Sequence, residues 1–188
     1  MNLNKLLLHT CCGPCATAVN RFYEERDFAV VNFFYNPNIH PFDEYVKRLT
    51  TLEEYLASTG GVLFAPLPYN PLEYFAVVSP DKRCESCYRL RLQKTAEWAK
   101  KWGFLFFATT LTISPYQNRV RLLEIGQEIG SLVGLQFVGE DLCSLFSQSA
   151  KKAKERGLYR QNYCGCIYSR WEGVKKRLWK SLTGQGCS

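Results

Sequence analysis

Seven of the nine cysteines in this chain fall into three tight groups, and this grouping limits the possible folds more than any other feature. The groups are Cys11, Cys12 and Cys15 (the triad), Cys84 and Cys87 (the first pair), and Cys164 and Cys166 (the second pair). Each spacing lets thiolates reach a single metal centre, so the fold must gather groups spread over about 150 residues. Seven sulfurs exceed the four ligands of a tetrahedral zinc site. They suit an iron–sulfur cluster, which takes four cysteines, with a second metal beside it.

A thioredoxin-like site, a buried apolar pair or a single zinc site would each use only some of these cysteines. Cys12-Gly13-Pro14-Cys15 matches the active site of thioredoxins, where a helix N-terminus lowers the pKa of the first thiol, but both pairs then have no role. A single pair can consist of two small buried hydrophobic residues, and a purely structural zinc site would leave three sulfurs idle. The last two cysteines stand alone: we expect Cys143 in or near the core and Cys187 in a frayed terminus.

Length and composition predict a single domain over residues 1–188, located in the cytoplasm, with residues 151–188 as a basic, aromatic and helical C-terminal segment packed on it. The chain is long enough to bury a sizeable core, and 46% apolar residues argue against disorder. Its first residues lack the apolar core and cleavage site of a signal peptide, and no stretch approaches the roughly 20 apolar residues of a membrane span. In that compartment, cysteines are expected to bind metal or to be catalytic rather than to form disulfides.

Short apolar segments alternate with segments of helical periodicity, which predicts an α/β fold. We expect strands over residues 6–9, 28–35, 62–65, 104–108 and 135–138. Helices are expected from residue 13 to about 25 and over residues 42–57, 88–102, 117–133 and 143–156, with the first cysteine pair opening the third of them. The alternation is typical of a Rossmann-like parallel sheet with helices on both faces.

The triad follows the first predicted strand, at the sheet edge where such folds bind ligands. At the start of a helix, the dipole favours the thiolates of the first pair, and Gly165 lets the backbone of the second pair curl around an ion. His9 and His40 are candidate ligands or proton donors, although His9 could equally be a satisfied structural residue. Candidate carboxylate ligands are Asp43, Glu44, Asp81 and Asp141. Of these, Asp141 follows the fifth strand and could equally be a helix cap.

The excess positive charge lies in the C-terminal fifth of the chain. Residues 151–180 carry ten basic and two acidic side chains, whereas the rest of the chain carries 14 basic and 15 acidic ones. Interleaved with these charges are Tyr159, Tyr163, Tyr168, Trp171 and Trp179. Basic and aromatic residues together favour phosphate neutralisation and base stacking. The alternative is a solvated amphipathic helix whose aromatic side chains pack inward.

Five segments of the chain resemble one known family. They are His9-Thr10-Cys11-Cys12-Gly13-Pro14-Cys15, Tyr35-Asn36-Pro37-Asn38-Ile39, Arg83-Cys84 through Cys87-Tyr88-Arg89-Leu90-Arg91-Leu92, Thr110-Leu111 with Ser114-Pro115-Tyr116-Gln117-Asn118, and Gly157-Leu158-Tyr159-Arg160-Gln161-Asn162-Tyr163-Cys164-Gly165-Cys166. Together they run in order over about residues 6–170 and are similar to the cobalamin-independent epoxyqueuosine reductases of the QueH type. Nothing in composition or spacing alone identifies that substrate.

The resemblance implies the final step of queuosine synthesis, in which the epoxide oxygen of epoxyqueuosine is removed at the anticodon wobble position of tRNA. It also implies a [4Fe-4S] cluster with a neighbouring mononuclear metal ion, iron or zinc, on a fold similar to the adenine-nucleotide α-hydrolase (HUP) group. All seven grouped cysteines then become metal ligands, with no assignment to one centre or the other. The family pattern has an Asp corresponding to Asp141, followed by an aromatic and a basic residue; here Leu142 and Cys143 follow instead.

The implied reaction consumes two electrons and two protons and releases the oxygen as water. A cluster delivers electrons singly, and a metal ion with an open position acts as a Lewis acid toward the epoxide oxygen. Candidate proton donors are His40, Tyr116 and Tyr163. Candidate contacts to tRNA phosphates are Arg160, Arg170, Lys175, Lys176 and Arg177. No flavin, nicotinamide or cobalamin fingerprint is present in the sequence, so we expect electrons from an external reductase or ferredoxin-like partner.

Two other classes of function remain open from the sequence. One is a non-redox zinc or iron–sulfur protein of HUP type that binds or modifies RNA. The other is a thiol–disulfide oxidoreductase. ATP pyrophosphatase chemistry is disfavoured, because Pro14 removes an amide donor from the loop that would hold pyrophosphate.

Overall fold

A parallel sheet of five strands forms the centre of the molecule. The computed structural model describes residues 4–66 and 68–183, so Cys187 lies outside the described residues. The strands are β1 (Asn4–His9), β2 (Phe28–Phe33), β3 (Val62–Phe64), β4 (Phe106–Thr109) and β5 (Gln136–Phe137). Their order is β3-β2-β1-β4-β5, which places the reversal of strand order between β1 and β4, where doubly wound folds bind ligands.

Helices join and follow these strands. In the described chain they are α1 (Gly13–Glu24), α2 (Phe42–Thr59), α3 (Pro71–Val77), α4 (Arg83–Lys101), α5 (Arg119–Val133), α6 (Phe146–Glu155) and α7 (Ile167–Thr183). Two 3-10 turns, Thr110–Ile113 and Cys143–Leu145, follow β4 and precede α6 respectively. All the strands predicted from the sequence are therefore present, each preceded or followed by a helix.

Helices cover both faces of the sheet, so β1 is buried on both sides. Leu6, Leu7 and Leu8 have no exposed surface. Leu7 packs with residues of α4 and α5, whereas Leu6 and Leu8 pack with residues of α1 on the opposite face. Alternate strand residues point to opposite faces, and a continuous apolar run is what two covered faces require. The predicted Rossmann-like architecture is confirmed.

β4 and α3 differ from the prediction, each for a local reason. β4 begins at Phe106 rather than Phe104, because Phe104 still closes the end of α4: its N–H donates to Ala99 O at 2.9 Å. Helix α3 was not predicted, since seven residues are too few to show a clear period. Its start signal is nevertheless in the sequence: Pro71 occupies the first turn, and Asn70 accepts a hydrogen bond from Leu72 N at 3.1 Å.

The basic C-terminal segment has two differently packed parts. Helix α6 packs against α1, and its Ala153 has no exposed surface. Helix α7 has no buried side chain in the described part of the chain, and its Trp171 and Trp179 are 57% and 60% exposed. These tryptophans therefore do not pack inward. Within residues 4–66 and 68–183, no helix combines the length and the apolar character needed to cross a membrane.

Candidate metal centre

The triad lies at the start of α1, directly after β1. Its three Sγ atoms lie within 4.8 Å of one another, and the sulfurs of Cys11 and Cys12 are 3.7 Å apart. Thr110, in the turn after β4, holds Cys11 twice: its hydroxyl donates to the sulfur at 3.5 Å and accepts from the backbone N–H at 3.2 Å. Since β1 pairs with β4, the central strands of the sheet fix the position of the triad.

The two cysteine pairs line one pocket at the start of α4. The pocket is lined by Tyr74, Arg83, Cys84, Cys87, Tyr88, Arg91, Gln117, Cys164 and Cys166. The sulfurs of Cys164 and Cys166 are 3.6 Å apart. Cys87 and Cys166 are buried, whereas Cys84 and Cys164 are exposed, so one side of the pocket opens to solvent. The fold thus brings four cysteines around a single space.

Two side chains connect the triad with this pocket. Arg91 is 4% exposed and donates from Nε to Cys87 O at 3.2 Å. Its guanidinium charge acts on sulfurs of both groups, Cys164 in the pocket and Cys11 in the triad. Gln161, three residues before the second pair, donates from Nε2 to Cys12 Sγ at 3.0 Å. The triad and the pocket are therefore neighbouring parts of one sulfur-rich region.

The charges of this region fit a thiolate-bound metal centre. Arg91 is buried and pairs with no carboxylate of the described residues. A buried cation needs an anionic partner, because removing it from water is costly. Metal-bound thiolates would supply that negative charge around Arg91, and all the described cysteines are free rather than disulfide-bonded.

The free thiols compete for protons within each group. A hydrogen bond from Cys12 lowers the pKa of Cys11, and the same contact raises the pKa of Cys12 to about 12. In the pocket, a hydrogen bond from Cys166 lowers the pKa of Cys164 to about 5, and burial raises the pKa of Cys87 to about 11. Neighbouring sulfurs cannot all ionise at neutral pH unless a cation compensates their charge, so metal binding would release protons.

Two of the three candidate proton donors lie beside the second cysteine pair. The Tyr163 hydroxyl donates a hydrogen bond to the His40 carbonyl, and burial raises the pKa of Tyr163 to about 12. The His40 ring is 7% exposed, packs on Tyr74 and Phe75, and has no well-formed hydrogen bond among the described residues. Burial lowers the pKa of His40, so the ring is neutral at pH 7. Tyr116 is 83% exposed, and its ring contacts Phe146.

His9 is a satisfied structural residue. Its ring has no exposed surface, and it contacts Thr109 Oγ1 at 2.9 Å and Tyr35 O at 3.2 Å. Burial lowers its pKa to about 3, so the ring stays neutral at pH 7. Its two contacts connect the end of β1 with the end of β4 and with the segment that follows β2. Both ring nitrogens have hydrogen-bond partners, so neither is free to coordinate a metal ion.

The candidate carboxylates are engaged elsewhere or exposed. Both oxygens of Asp141 accept from Arg119 Nε, at 2.8 and 2.9 Å, and one also accepts from Cys143 N at 3.0 Å. Arg119 lowers the pKa of Asp141. Asp43 and Asp81 are exposed, and Glu44 is buried in an ion pair with Arg48. Asp141 thus binds Arg119 and the first backbone N–H of the turn Cys143–Leu145, and its role as a metal ligand stays a prediction.

The candidate phosphate contacts are all exposed. Arg160 lies in the loop between α6 and α7, and Arg170, Lys175, Lys176 and Arg177 lie on α7. Helix α7 begins directly after Cys166, and Glu172 on its second turn pairs with Arg83 of the cysteine pocket at 2.5 Å. The basic helix therefore starts at the rim of the pocket.

Sequence reasoning assigned no role to Arg48, Arg91, Thr110 or Gln161. The last three lie within the segments that carry the family resemblance, so their positions were visible although their contacts were not. Arg48 had a different signal. It lies three residues after Tyr45 and four before Leu52, on the core-facing side of α2, where a charged side chain requires an explanation.

Comparisons with known proteins point to one family. A family model described as "Epoxyqueuosine reductase QueH" matches residues 6–172. The protein of that name from Dehalococcoides mccartyi is 39% identical over 174 residues, which cover 92% of this chain and 96% of the relative. Its namesake from Thermotoga maritima is 33% identical and covers 93% and 94% of the two chains. The namesake from Streptococcus pyogenes is 34% identical over 87% of this chain and 69% of the relative.

A solved structure shares the fold. The predicted subunit of a tRNA methyltransferase from Methanocaldococcus jannaschii superposes with a TM-score of 0.55, covering 85% of this chain and 94% of its own. The two sequences are only 12% identical. The similarity therefore concerns the arrangement of strands and helices and carries no information on chemistry.

Proposed function

This chain belongs to the epoxyqueuosine reductase QueH family, and we propose that it deoxygenates epoxyqueuosine to queuosine in the wobble position of tRNA. The observation that carries the proposal is the convergence of seven cysteines at the carboxyl edge of the sheet, three in the triad and four around one pocket. A non-redox protein with one structural zinc would need four of them.

The number of cysteines in each group suggests how two metal centres divide them. We assign the four cysteines of the pocket to the [4Fe-4S] cluster, since such clusters take four thiolates. The triad would then hold the mononuclear ion, iron or zinc, and its three thiolates would be fewer than the four ligands of a structural zinc site, as in catalytic metal sites. When bound, the cluster supplies electrons singly and the ion supplies a Lewis acid for the epoxide oxygen.

The chain's own residues would supply protons and hold the substrate. Tyr163 keeps its proton at neutral pH and lies next to Cys164, which supports it as a donor, with neutral His40 behind it. Tyr116 would act only if the bound tRNA covers its exposed ring. The modified base must leave the anticodon stack to reach the sulfur-rich region, and Trp171 and Trp179 are exposed rings suited to stacking on neighbouring bases.

The partners of this reaction follow from its stoichiometry. The substrate is tRNA that carries epoxyqueuosine, which places the enzyme in the cytoplasm. Two electrons per turnover must come from an external reductase or a ferredoxin-like protein. Cys84 and Cys164, the exposed members of the two pairs, form the side of the pocket from which such a donor could approach.

The experiment that tests this proposal is an anaerobic absorption spectrum of the reconstituted protein, with iron, sulfide and zinc measured on the same sample. We expect a broad band near about 400 nm with about four sulfides and at least four irons per chain. The same sample, given a chemical reductant and tRNA containing epoxyqueuosine, should yield queuosine. A colourless protein that carries only zinc after reconstitution would refute the reductase mechanism and favour a zinc-dependent RNA-binding protein.

A further inference from the structure

Arg48 is a fully buried arginine on a helix that carries no cysteine. Its side chain is 1% exposed, and its Nε donates to Glu44 Oε1 at 2.7 Å. The other two nitrogens point away from α2: Nη1 donates to Cys164 O and Nη2 to Tyr163 O, each at 3.1 Å. The guanidinium carbon also lies 5.3 Å from the centre of the Tyr163 ring. One buried cation therefore binds a segment 115 or more residues away.

Glu44, the ion-pair partner of Arg48, binds the start of the same loop. The second oxygen of Glu44 accepts from the Tyr159 hydroxyl at 2.6 Å, and Glu44 is 8% exposed. Arg48 and Glu44 thus hold the loop of residues 159–166 at two points, one at its beginning and one directly before Gly165. The loop contains no regular helix or strand, so these contacts replace the backbone ladder that would otherwise fix it.

The backbone at Gly165 is fitted to this arrangement. Gly165 has φ +120, and a Cβ there would lie 3.0 Å from Ile39 Cγ1 and 3.3 Å from Arg48 Nη1. Its carbonyl accepts from His40 N at 2.8 Å. Only glycine combines this conformation with so close an approach. The loop is therefore seated directly on the Arg48 guanidinium.

The loop carries two pocket cysteines and a residue that contacts the triad, so its position affects both groups of sulfurs. Cys164 and Cys166 line the pocket together with Cys84 and Cys87, and Gln161 donates a hydrogen bond to Cys12 in the triad. The Arg48 charge also acts on Cys12. A displacement of this loop would separate both pairs of cysteines and break the link to the triad.

We propose that Arg48 is a positioning residue that, with Glu44, seats the 159–166 loop so that its two cysteines complete the four-cysteine pocket. The role of that pocket in holding a cluster rests on the proposed function, whereas the seating of the loop does not. Among the described residues, Arg48 donates its hydrogen bonds to Glu44 and to the backbone carbonyls of Tyr163 and Cys164, and it acts on the pocket through those two carbonyls.

The test compares variants that remove the anchor without leaving a charge buried. Arg48→Met alone leaves the buried Glu44 carboxylate without its ion-pair partner. The double variant Arg48→Met with Glu44→Gln is therefore made as well, since it leaves no unpaired ion. Arg48→Lys keeps the charge but loses the forked geometry. Arg21→Met is the matched control, since Arg21 forms an exposed ion pair with Glu25 at the same helical spacing.

The first measurement is amide hydrogen exchange in the metal-free proteins, under anaerobic reducing conditions. In the double variant, we expect amides of residues 159–166 to exchange roughly tenfold to hundredfold faster, the loss typical of hydrogen bonds to a charged group. The sheet should exchange as in the wild type, and Arg48→Lys should give an intermediate increase. Unchanged exchange in the loop of the double variant would overturn the inference.

The second measurement is sulfide and iron bound after anaerobic reconstitution. We expect the double variant to bind less than half the sulfide of the wild type, whereas Arg21→Met binds the same amount. Full loading of the double variant would overturn the role of Arg48 in the pocket. If the wild type itself binds only zinc, the proposed function fails, but the exchange data on metal-free protein still decide whether Arg48 seats the loop.

Discussion

At the scale of single residues, the sulfurs lie among buried cations and hydroxyl groups. Arg91 has sulfurs of both groups within its electrostatic reach, and Thr110 and Gln161 each donate a hydrogen bond to a triad sulfur. These contacts all favour the anionic form of sulfur. Positive charge and hydrogen bonds near a cluster also raise its reduction potential, since the reduced form carries one more negative charge.

Loss of a pocket cysteine should remove the cluster. We expect Cys84→Ala and Cys164→Ala each to abolish epoxyqueuosine reduction and the broad visible absorption, because a [4Fe-4S] cluster needs four thiolates. The control is Cys143→Ala, whose free thiol lies outside both groups. Iron and sulfide analysis with a single-turnover assay measures the effect. A Cys84 or Cys164 variant that keeps both colour and activity would contradict the ligand assignment.

Neutralising Arg91 should make the cluster harder to reduce. Arg91→Met removes a buried positive charge beside Cys87, so the reduced, more negative state loses stabilisation, and we expect a lower reduction potential. Arg91→Lys keeps the charge and should shift the potential less. A dye-coupled anaerobic titration gives the potential of each protein. An equal shift in both variants would show that packing rather than charge is responsible.

At the scale of elements, the site is assembled by connections between the sheet and its helices. The pairing of β1 with β4 fixes the position of the triad, and the start of α4 carries the first pair. The second pair lies on a loop that is hydrogen-bonded to Arg48 of α2. Helices therefore carry three of the seven cysteines, and Cys11 and Cys12 lie in the short connection between β1 and α1. The remaining two depend on a loop without backbone pairing of its own. Helix α7 continues that loop and presents its side chains to solvent.

Substitution of Gly165 tests the fit of the loop. Gly165→Ala introduces a Cβ against Ile39 and Arg48, in addition to the strain of a positive φ. The matched control is Gly157→Ala, which has φ +65 but nothing within 4 Å of the new Cβ. We expect Gly157→Ala to lower stability by about 1 kcal/mol and to keep the cluster. Gly165→Ala should lose most of its sulfide, and equal loading of the two variants would contradict the close fit.

Charge reversal on α7 tests its contact with tRNA. We expect Lys175→Glu, Lys176→Glu and Arg177→Glu together to weaken tRNA binding and to lower the slope of log affinity against log salt by about two to three. Reversal of Lys5, Lys100 and Lys101, at the opposite edge of the sheet, changes the net charge equally and should have little effect. Binding isotherms at several salt concentrations measure both slopes. Equal losses in the two triple variants would remove α7 from the interface.

At the scale of the whole molecule, the triad and the cysteine pocket lie in different surroundings. Two large clusters of apolar side chains cover the faces of the sheet, and Cys11 and Cys12 belong to one of them. The cysteine pocket adds only a small separate cluster of Tyr74, Cys87 and Cys166. The sheet should therefore fold without metal, and metal should add stability at its carboxyl edge. The exposed Cys84 and Cys164 leave one side of the pocket open to solvent, which suits the proposed tRNA substrate.

Metal removal should lower thermal stability without unfolding the sheet. We expect the metal-free protein to keep its far-ultraviolet circular dichroism but to melt several degrees lower, since each kcal/mol of binding free energy is worth about 2–4 °C in a chain of this size. Calorimetry of the loaded and metal-free forms under anaerobic conditions gives the two melting temperatures. Identical values would mean that metal does not bind preferentially to the folded chain.

Local periodicity and short spacings were enough to predict the strands, most helices and the three groups of cysteines. The short apolar run Leu6-Leu7-Leu8 predicted a buried strand, and the basic, aromatic character of residues 151–180 is a matter of composition. The division of the seven cysteines into a triad and a four-cysteine pocket became visible only in three dimensions. The hydrogen bonds of Arg48 to a loop more than 100 residues away and the ion pair of Asp141 with Arg119 also became visible only in the structure. Such contacts depend on how separate elements pack, and no local pattern encodes the distance between them.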